Sequence, residues 1–151
     1  MPPTLLDKKP VEILLVEDSP GDVRLTREAF REARVPNNLH VTTDGEQAIA
    51  FLHRDEPFTT SPRPDLILLD LNLPRKSGRE VLKEIKADPA YRRIPIVVLT
   101  TSQSHEDIAA VYDLAGNCYI AKPVDLERFL EVVRIIEDFW LTTVQLPGTN
   151  A

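Results

Sequence analysis

Short apolar runs alternate with longer amphipathic segments along most of the chain. The runs are rich in Val, Ile and Leu, and their near-continuous apolar character is typical of strands covered on both faces. The segments between them repeat apolar residues at the helical period. This alternation predicts five βα units around a parallel sheet. The predicted strands span residues 11–16, 39–42, 65–69, 96–99 and 118–120, and the predicted helices span 22–34, 45–54, 78–87, 104–114 and 125–140.

Capping residues support the predicted helix starts. Ser19-Pro20, Asp44-Gly45, Ser77-Gly78 and Thr101-Ser102 stand just before or at the beginning of the first four helices, and Ser, Thr and Asp are favoured at the N-cap. Right-handed crossovers then place helices on both faces of the sheet. The predicted fold class is a doubly wound α/β domain.

The segment 55–64 contains three prolines among Ser and Thr, so it cannot continue the second helix and is predicted to be an exposed loop. We interpret it as an insertion within one domain. That domain is expected over 11–140, between an N-terminal extension, 1–10, and a polar tail, 141–151, whose last residues are expected to be mobile.

Composition narrows the classes of function. The chain has 151 residues with 18 Lys and Arg against 24 Asp and Glu, a net charge of −6, which argues against nucleic-acid binding through bulk charge. No apolar run approaches the ~20 residues of a membrane-spanning helix, and residues 1–10 lack the apolar core of a secretory signal. We therefore expect a cytoplasmic protein. The single cysteine, Cys118, excludes an intrachain disulfide and is expected in the core.

Polar side chains follow four of the five predicted strands. They are Glu17 and Asp18 after the first, Asp70 after the third, Thr100 after the fourth and Lys122 after the fifth. Because ligands of open parallel sheets bind at the carboxyl ends of the strands, we expect these groups to converge.

Three carboxylates held close together repel one another unless a cation compensates them. Mg²⁺ prefers hard oxygen ligands and suits Glu17, Asp18 and Asp70. Zinc would need His or Cys at the site. The three histidines show no ligand spacing, so they are expected to be surface or packing residues; they are His40, His53 and His105.

Four sequence motifs stand in order at the ends of these strands. The part of the chain that contains them runs from about residue 11 to residue 136. The motifs are Val16-Glu17-Asp18-Ser19, Leu68-Leu69-Asp70-Leu71-Asn72-Leu73-Pro74 with Gly78, Val98-Leu99-Thr100 and Tyr119-Ile120-Ala121-Lys122-Pro123. Together they resemble the receiver domains of two-component response regulators. The resemblance implies a flavodoxin-like (βα)5 fold with strand order 2-1-3-4-5.

The resemblance also implies a role for each motif residue. Asp70 would be the carboxylate that accepts a phosphoryl group from a kinase phosphohistidine. Asp18 and Asp70 would ligate Mg²⁺ directly, with Glu17 acting through water and the backbone carbonyl of Asn72 completing the protein ligands. Any enzymatic activity would be limited to self-phosphorylation and self-dephosphorylation.

The remaining motif residues would bind the phosphoryl group and change conformation in response to it. Lys122 would pair with the acyl phosphate, Thr100 would hydrogen-bond it, and Tyr119 would rotate as the switch aromatic. Pro123 would follow a cis peptide bond. Together these movements would alter a surface that a downstream protein recognises.

A narrower resemblance concerns the small regulators that partner cyanobacterial phytochrome kinases. It rests on the Pro-rich loop 55–64, on Ser19-Pro20-Gly21-Asp22 and on Asp138-Phe139-Trp140. It implies a light-sensing histidine kinase as phosphodonor. Since eleven residues follow Trp140, we expect a stand-alone receiver without an output domain.

Two other classes of function remain as alternatives. A haloacid-dehalogenase-type phosphatase would also use Asp70 as nucleophile, but it needs an aspartate two residues later, where this chain has Asn72. A flavodoxin-like FMN binder needs a Ser/Thr/Gly-rich loop after the first strand, where Glu17 and Asp18 would repel phosphate.

The last predicted helix has an apolar arc of roughly 200°, about twice the width that covers a core. Either the tail segment 141–146 folds over this arc or a second subunit covers it, since a patch of this kind is uncommon on a monomer. We expect a homodimer, because a twofold interface is the commonest solution. One stripe of the arc contains Phe129, Val133, Ile136 and Trp140; the second, expected at the interface, contains Val132, Ile135 and Phe139.

Overall fold

A computed structural model of the protein describes residues 9–100, 118–122 and 125–138, with the backbone alone at Thr100, Cys118 and Tyr119. Strands and helices alternate in this part of the chain as the pattern predicts. The predicted helix over 104–114 lies outside it. The elements are β1 (Val11–Val16), α1 (Pro20–Arg31), β2 (Asn37–Thr42), α2 (Gly45–His53), β3 (Leu66–Leu69), α3 (Gly78–Ala87), β4 (Ile96–Thr100), β5 (Cys118–Ala121) and the final helix (Leu126–Ile136).

All five strands pair in parallel in the order β2-β1-β3-β4-β5, which confirms the predicted topology. The chain runs from β1 outward to β2 and then returns to the other side of β1 as β3. The strand order therefore reverses between β1 and β3, and in open parallel sheets this switch point is where ligands bind.

Successive residues of the central strands pack into two separate hydrophobic cores, one on each face of the sheet. Leu14 and Ile67 point to the side covered by α2 and α3. Ile13 and Leu68 point to the side covered by α1 and the final helix. All four residues of β3 are fully buried, because this strand has a neighbour on each edge and helices on both faces.

Some element boundaries differ from the predictions by a few residues. β2 begins at Asn37 rather than residue 39, because backbone pairing with β1 starts at Val11 and does not depend on an apolar side chain. α1 begins at Pro20 rather than residue 22, since Ser19 is its N-cap. The final helix begins after Asp125, which caps it.

The loop 55–64 is only partly the exposed segment that its composition predicts. Its Phe58 ring lies 5.6 Å from the ring of Phe51, on the core beneath α2. The Ser61 hydroxyl donates a 2.7 Å hydrogen bond to the Phe51 carbonyl. The prediction of a simply exposed loop is wrong at these two residues, because the loop packs back over the end of α2.

Two of the histidines have packing roles, as expected. His40 lies 2.6 Å from a carboxylate oxygen of Glu12 and packs its ring near Phe51. His53 packs its ring near that of Tyr91. His105 lies outside the described residues. Among the helices that the structure describes, none is long and apolar enough to cross a membrane.

Candidate functional site: an acidic pocket at the sheet edge

The ends of β1 and β3 bring the predicted acidic residues together. Glu17 directly follows β1, where its backbone N–H donates to the Thr42 carbonyl at 3.0 Å. Asp70 directly follows β3, and its N–H donates to the Val16 carbonyl at 3.1 Å. The two side chains therefore start from adjacent hydrogen-bonded strands.

Glu17, Asp18 and Asp70 each present an oxygen within 4.8 Å of the others. Glu17 and Asp70 are buried, whereas Asp18 is exposed. Burial, together with the nearby Asp70 carboxylate, raises the pKa of Glu17 to about 7. The three carboxylates repel one another at this distance, and a bound cation would offset the repulsion. An all-oxygen donor set of this kind fits a hard divalent cation.

Lys122 enters the same pocket from the end of β5. Its side chain is 5% exposed and its Nζ lies 3.1 Å from Asp70 Oδ2, with a further hydrogen bond to Glu17. Burial alone would lower the pKa of Lys122, but contacts with carboxylates more than offset this effect and the pKa is raised. The ammonium is therefore a permanent positive charge beside Asp70.

The β3–α3 connection packs tightly around Asp70. The Asn72 N–H donates to Asp70 Oδ1 at 3.0 Å. Gly78 lies so close that a Cβ there would stand 2.2 Å from the Asp70 backbone oxygen. Arg75, in this loop, adopts a positive φ of 67° and lies 3.8 Å from Asp44 at the start of α2. The Asn72 N–H therefore holds one oxygen of the Asp70 carboxylate, while Gly78 packs against the backbone behind it.

The structure describes the other predicted site residues only in part. Thr100 ends β4 and Tyr119 lies in β5, so their backbones reach the expected strands. Their side chains, and all of Pro123, lie outside the described residues. A cis peptide bond is found at Glu56–Pro57; the one predicted before Pro123 remains a prediction.

One residue of the pocket was missed by sequence reasoning. Asp22, in the first turn of α1, places Oδ2 2.7 Å from Lys122 Nζ. In the sequence, Asp22 stood out through the Ser19-Pro20-Gly21-Asp22 resemblance and through its Ser-x-x-Asp spacing from Ser19, which also describes an ordinary helix start. Neither signal placed it in the pocket.

Comparison with known proteins identifies the class of this fold and pocket. The family model described as response regulator receiver domain matches residues 13–134. The chain belongs to this family. The phosphatase alternative has no support in these matches.

Particular relatives cover nearly the whole chain. The response regulator Rcp1 of Synechocystis sp. is 51% identical over 139 residues, which are 92% of this chain and 95% of that protein. The crystal structure of the phosphorylated cyanobacterial phytochrome response regulator RcpA superposes with a TM-score of 0.88 at 48% identity, covering 93% of this chain and all of that one. The Mn²⁺-bound form of Rcp1 gives 0.86 at 50% identity, covering 92% and 100%.

Proposed function

We propose that the protein accepts a phosphoryl group on Asp70 from the phosphohistidine of a histidine kinase. The observation that carries this proposal is the position of Asp70, which has an oxygen within 4.8 Å of those of two other carboxylates and has Oδ2 3.1 Å from the Lys122 ammonium. An Asp70 oxygen forms a bond to phosphorus while the P–N bond to histidine breaks. The histidine nitrogen keeps the bonding electrons and takes a proton.

We assign Mg²⁺ to the acidic pocket. Asp18 and Asp70 would ligate it directly, Glu17 would hold it through water, and the Asn72 backbone carbonyl would be a further ligand. When bound, the ion withdraws charge from the phosphoryl oxygens and offsets the mutual repulsion of the carboxylates. The Mn²⁺-bound structure of the related Rcp1 supports a divalent cation in this family.

Lys122, Thr100 and Tyr119 complete the proposed switch. The Lys122 ammonium already lies beside the carboxylate that receives the phosphoryl group, so it can bind the added charge without moving into the pocket. The Thr100 hydroxyl hydrogen-bonds a phosphoryl oxygen, and Tyr119 rotates into the space that Thr100 leaves. Pro123 follows a cis peptide bond in this proposal. The changed surface is what a downstream protein recognises.

The phosphodonor is a phytochrome-type histidine kinase in this proposal, which is supported by the similarity to RcpA, a cyanobacterial phytochrome response regulator. We place the protein in the cytoplasm, as a receiver over 11–140 that contacts neither nucleic acid nor membrane. It is a homodimer through Val132, Ile135 and Phe139. The structure describes two of these: Val132 is partly buried and Ile135 is 63% exposed. Phe139 lies outside the described residues.

Phosphorylation by acetyl phosphate and by candidate kinases tests the proposal. We expect Mg²⁺-dependent, hydroxylamine-sensitive label at a stoichiometry of one, and no label on Asp70→Asn. Asp65→Asn is the matched control, because Asp65 lies just before β3 at the opposite end of the strand and bonds the Glu12 N–H. Label retained by Asp70→Asn, or continuous turnover of a generic phosphomonoester, would contradict the assignment.

A further inference from the structure

The start of α1 has the spacing of a capping box but only half of its hydrogen bonds. The Ser19 hydroxyl accepts from the Asp22 N–H at 3.4 Å. In a complete box the acidic side chain returns to the N–H of the cap residue. Here the Ser19 N–H donates instead to Glu17 Oε2 at 3.2 Å. The Asp22 carboxylate is therefore not used to cap its own helix.

The Asp22 carboxylate is directed to Lys122. Its Oδ2 lies 2.7 Å from Lys122 Nζ, closer than the 3.1 Å between Nζ and Asp70 Oδ2. The Asp22 side chain is 33% exposed, so it lies at the rim of the pocket, whereas that of Asp70 is 8% exposed. One ammonium thus binds a rim carboxylate and the proposed phosphoacceptor at once.

The helix α3 supplies an internal comparison. Ser77 and Glu80 have the same spacing as Ser19 and Asp22, and the Ser77 hydroxyl accepts from the Glu80 N–H at 3.2 Å. The Glu80 carboxylate contacts its own helix start, where it accepts a 3.3 Å hydrogen bond from the Ser77 hydroxyl, and the residue is exposed. An acid at the third position of a helix therefore need not reach the pocket, and that contact is particular to Asp22.

The Asp22 contact acts on the pocket through Lys122. Because Asp22 shares the Lys122 ammonium with Asp70, less of this positive charge is available to a phosphoryl group that arrives at Asp70. For a divalent cation the signs are reversed, because more negative charge in the pocket favours the cation. The contact should therefore favour the cation-bound, unphosphorylated state.

We propose that Asp22 is a positioning residue of the phosphoryl site, sharing the buried Lys122 ammonium with Asp70 so that the pocket favours the divalent cation over the phosphoryl group. This inference rests on the proposed function of Asp70. It assigns Asp22 no contact with the phosphoryl group, since its effect passes through Lys122.

The test measures cation and anion binding separately. Mn²⁺ alone is titrated into the protein by electron paramagnetic resonance, and beryllium trifluoride is titrated at saturating Mg²⁺ by fluorine NMR. Asp22→Asn is expected to weaken Mn²⁺ binding about fivefold and to strengthen beryllium trifluoride binding about fivefold, the size of one partly exposed ion contact. Glu80→Gln, the matched control at α3, should change neither.

A second pair of variants tests the route through Lys122. In a Lys122→Met background, Asp22→Asn should change beryllium trifluoride binding less than about twofold, because the group that it positions is gone. Asp22→Glu should restore values near those of the wild type. The inference fails if both affinities fall together, if neither changes, or if the anion effect persists without Lys122.

Labelling by acetyl phosphate separates this inference from the proposed function. In that reaction an Asp70 oxygen bonds to phosphorus as the P–O bond to acetate breaks, and acetate leaves with the bonding electrons. Wild-type protein that takes no label would refute the proposed function. Wild-type protein that is labelled, with Asp22→Asn labelled no faster, would refute only the role of Asp22.

Discussion

Replacing Gly78 by Ala tests how tightly the acidic pocket is built. The added Cβ would lie 2.2 Å from the Asp70 backbone oxygen and 2.5 Å from the Leu71 Cα. Both atoms belong to backbone at the end of a buried strand, so the clash cannot be relieved by a change of side-chain rotamer. The α3 start or the Asp70 segment has to shift.

The expected cost follows from two opposing terms. Overpacking against fixed atoms costs about 1–3 kcal/mol. Alanine is the better helix former by roughly 0.5–1 kcal/mol, and Gly78 is the first residue of α3. We therefore expect Gly78→Ala to lower the free energy of unfolding by about 1–2 kcal/mol in urea titration.

Two other glycines provide controls. A Cβ on Gly21, in the first turn of α1, would meet only the Ser19 hydroxyl at 4.0 Å, so Gly21→Ala should be neutral or stabilising. A Cβ on Gly45 would stand 2.1 Å from the Lys76 carbonyl oxygen, and its three nearest atoms belong to Lys76 and Val81 rather than to Asp70. Gly45→Ala should lose stability as Gly78→Ala does, while Mn²⁺ affinity should fall further in Gly78→Ala. Wild-type stability of Gly78→Ala, or equal Mn²⁺ affinities of the two variants, would refute the reasoning.

Two further predictions concern charge and assembly. Burial raises the pKa of Glu17 from 4.5 to about 7, so the folded protein holds this proton more tightly than the unfolded chain does. Its free energy of unfolding should consequently fall as the pH rises through that interval. In metal-free protein, Glu17→Gln should flatten this fall and raise the free energy of unfolding at pH 8 by roughly 1–2 kcal/mol; an unchanged pH profile would contradict it. Ile135→Asp and Phe139→Asp should convert the proposed dimer to a monomer in sedimentation equilibrium, and for the exposed Ile135 the free energy of unfolding of the monomer should change by less than about 0.5 kcal/mol. A monomeric wild type, phosphorylated or not, would contradict the interface.

The pocket divides into residues that sequence could place and residues that it could not. Glu17 and Asp70 each directly follow an apolar strand, and the carboxyl ends of parallel strands share one edge of the sheet. Their convergence was therefore predictable. The Phe58 packing was not, because a Pro-rich segment indicates only where a helix stops, and a single apolar residue within it has no periodic neighbours to reveal its contacts.

What the amino-acid sequence determined by itself was local: the period of the apolar residues, the caps and the order of strand-end motifs, each set by interactions within a few residues. Tertiary structure alone decided which carboxylates share the Lys122 ammonium. Lys122 follows β5, and β4 lies between that strand and β3, so its contacts with Asp70 and Asp22 depend on how the sheet is assembled. Asp22 satisfied the local rule for a helix start, and only the assembled pocket showed that its carboxylate contacts Lys122 instead.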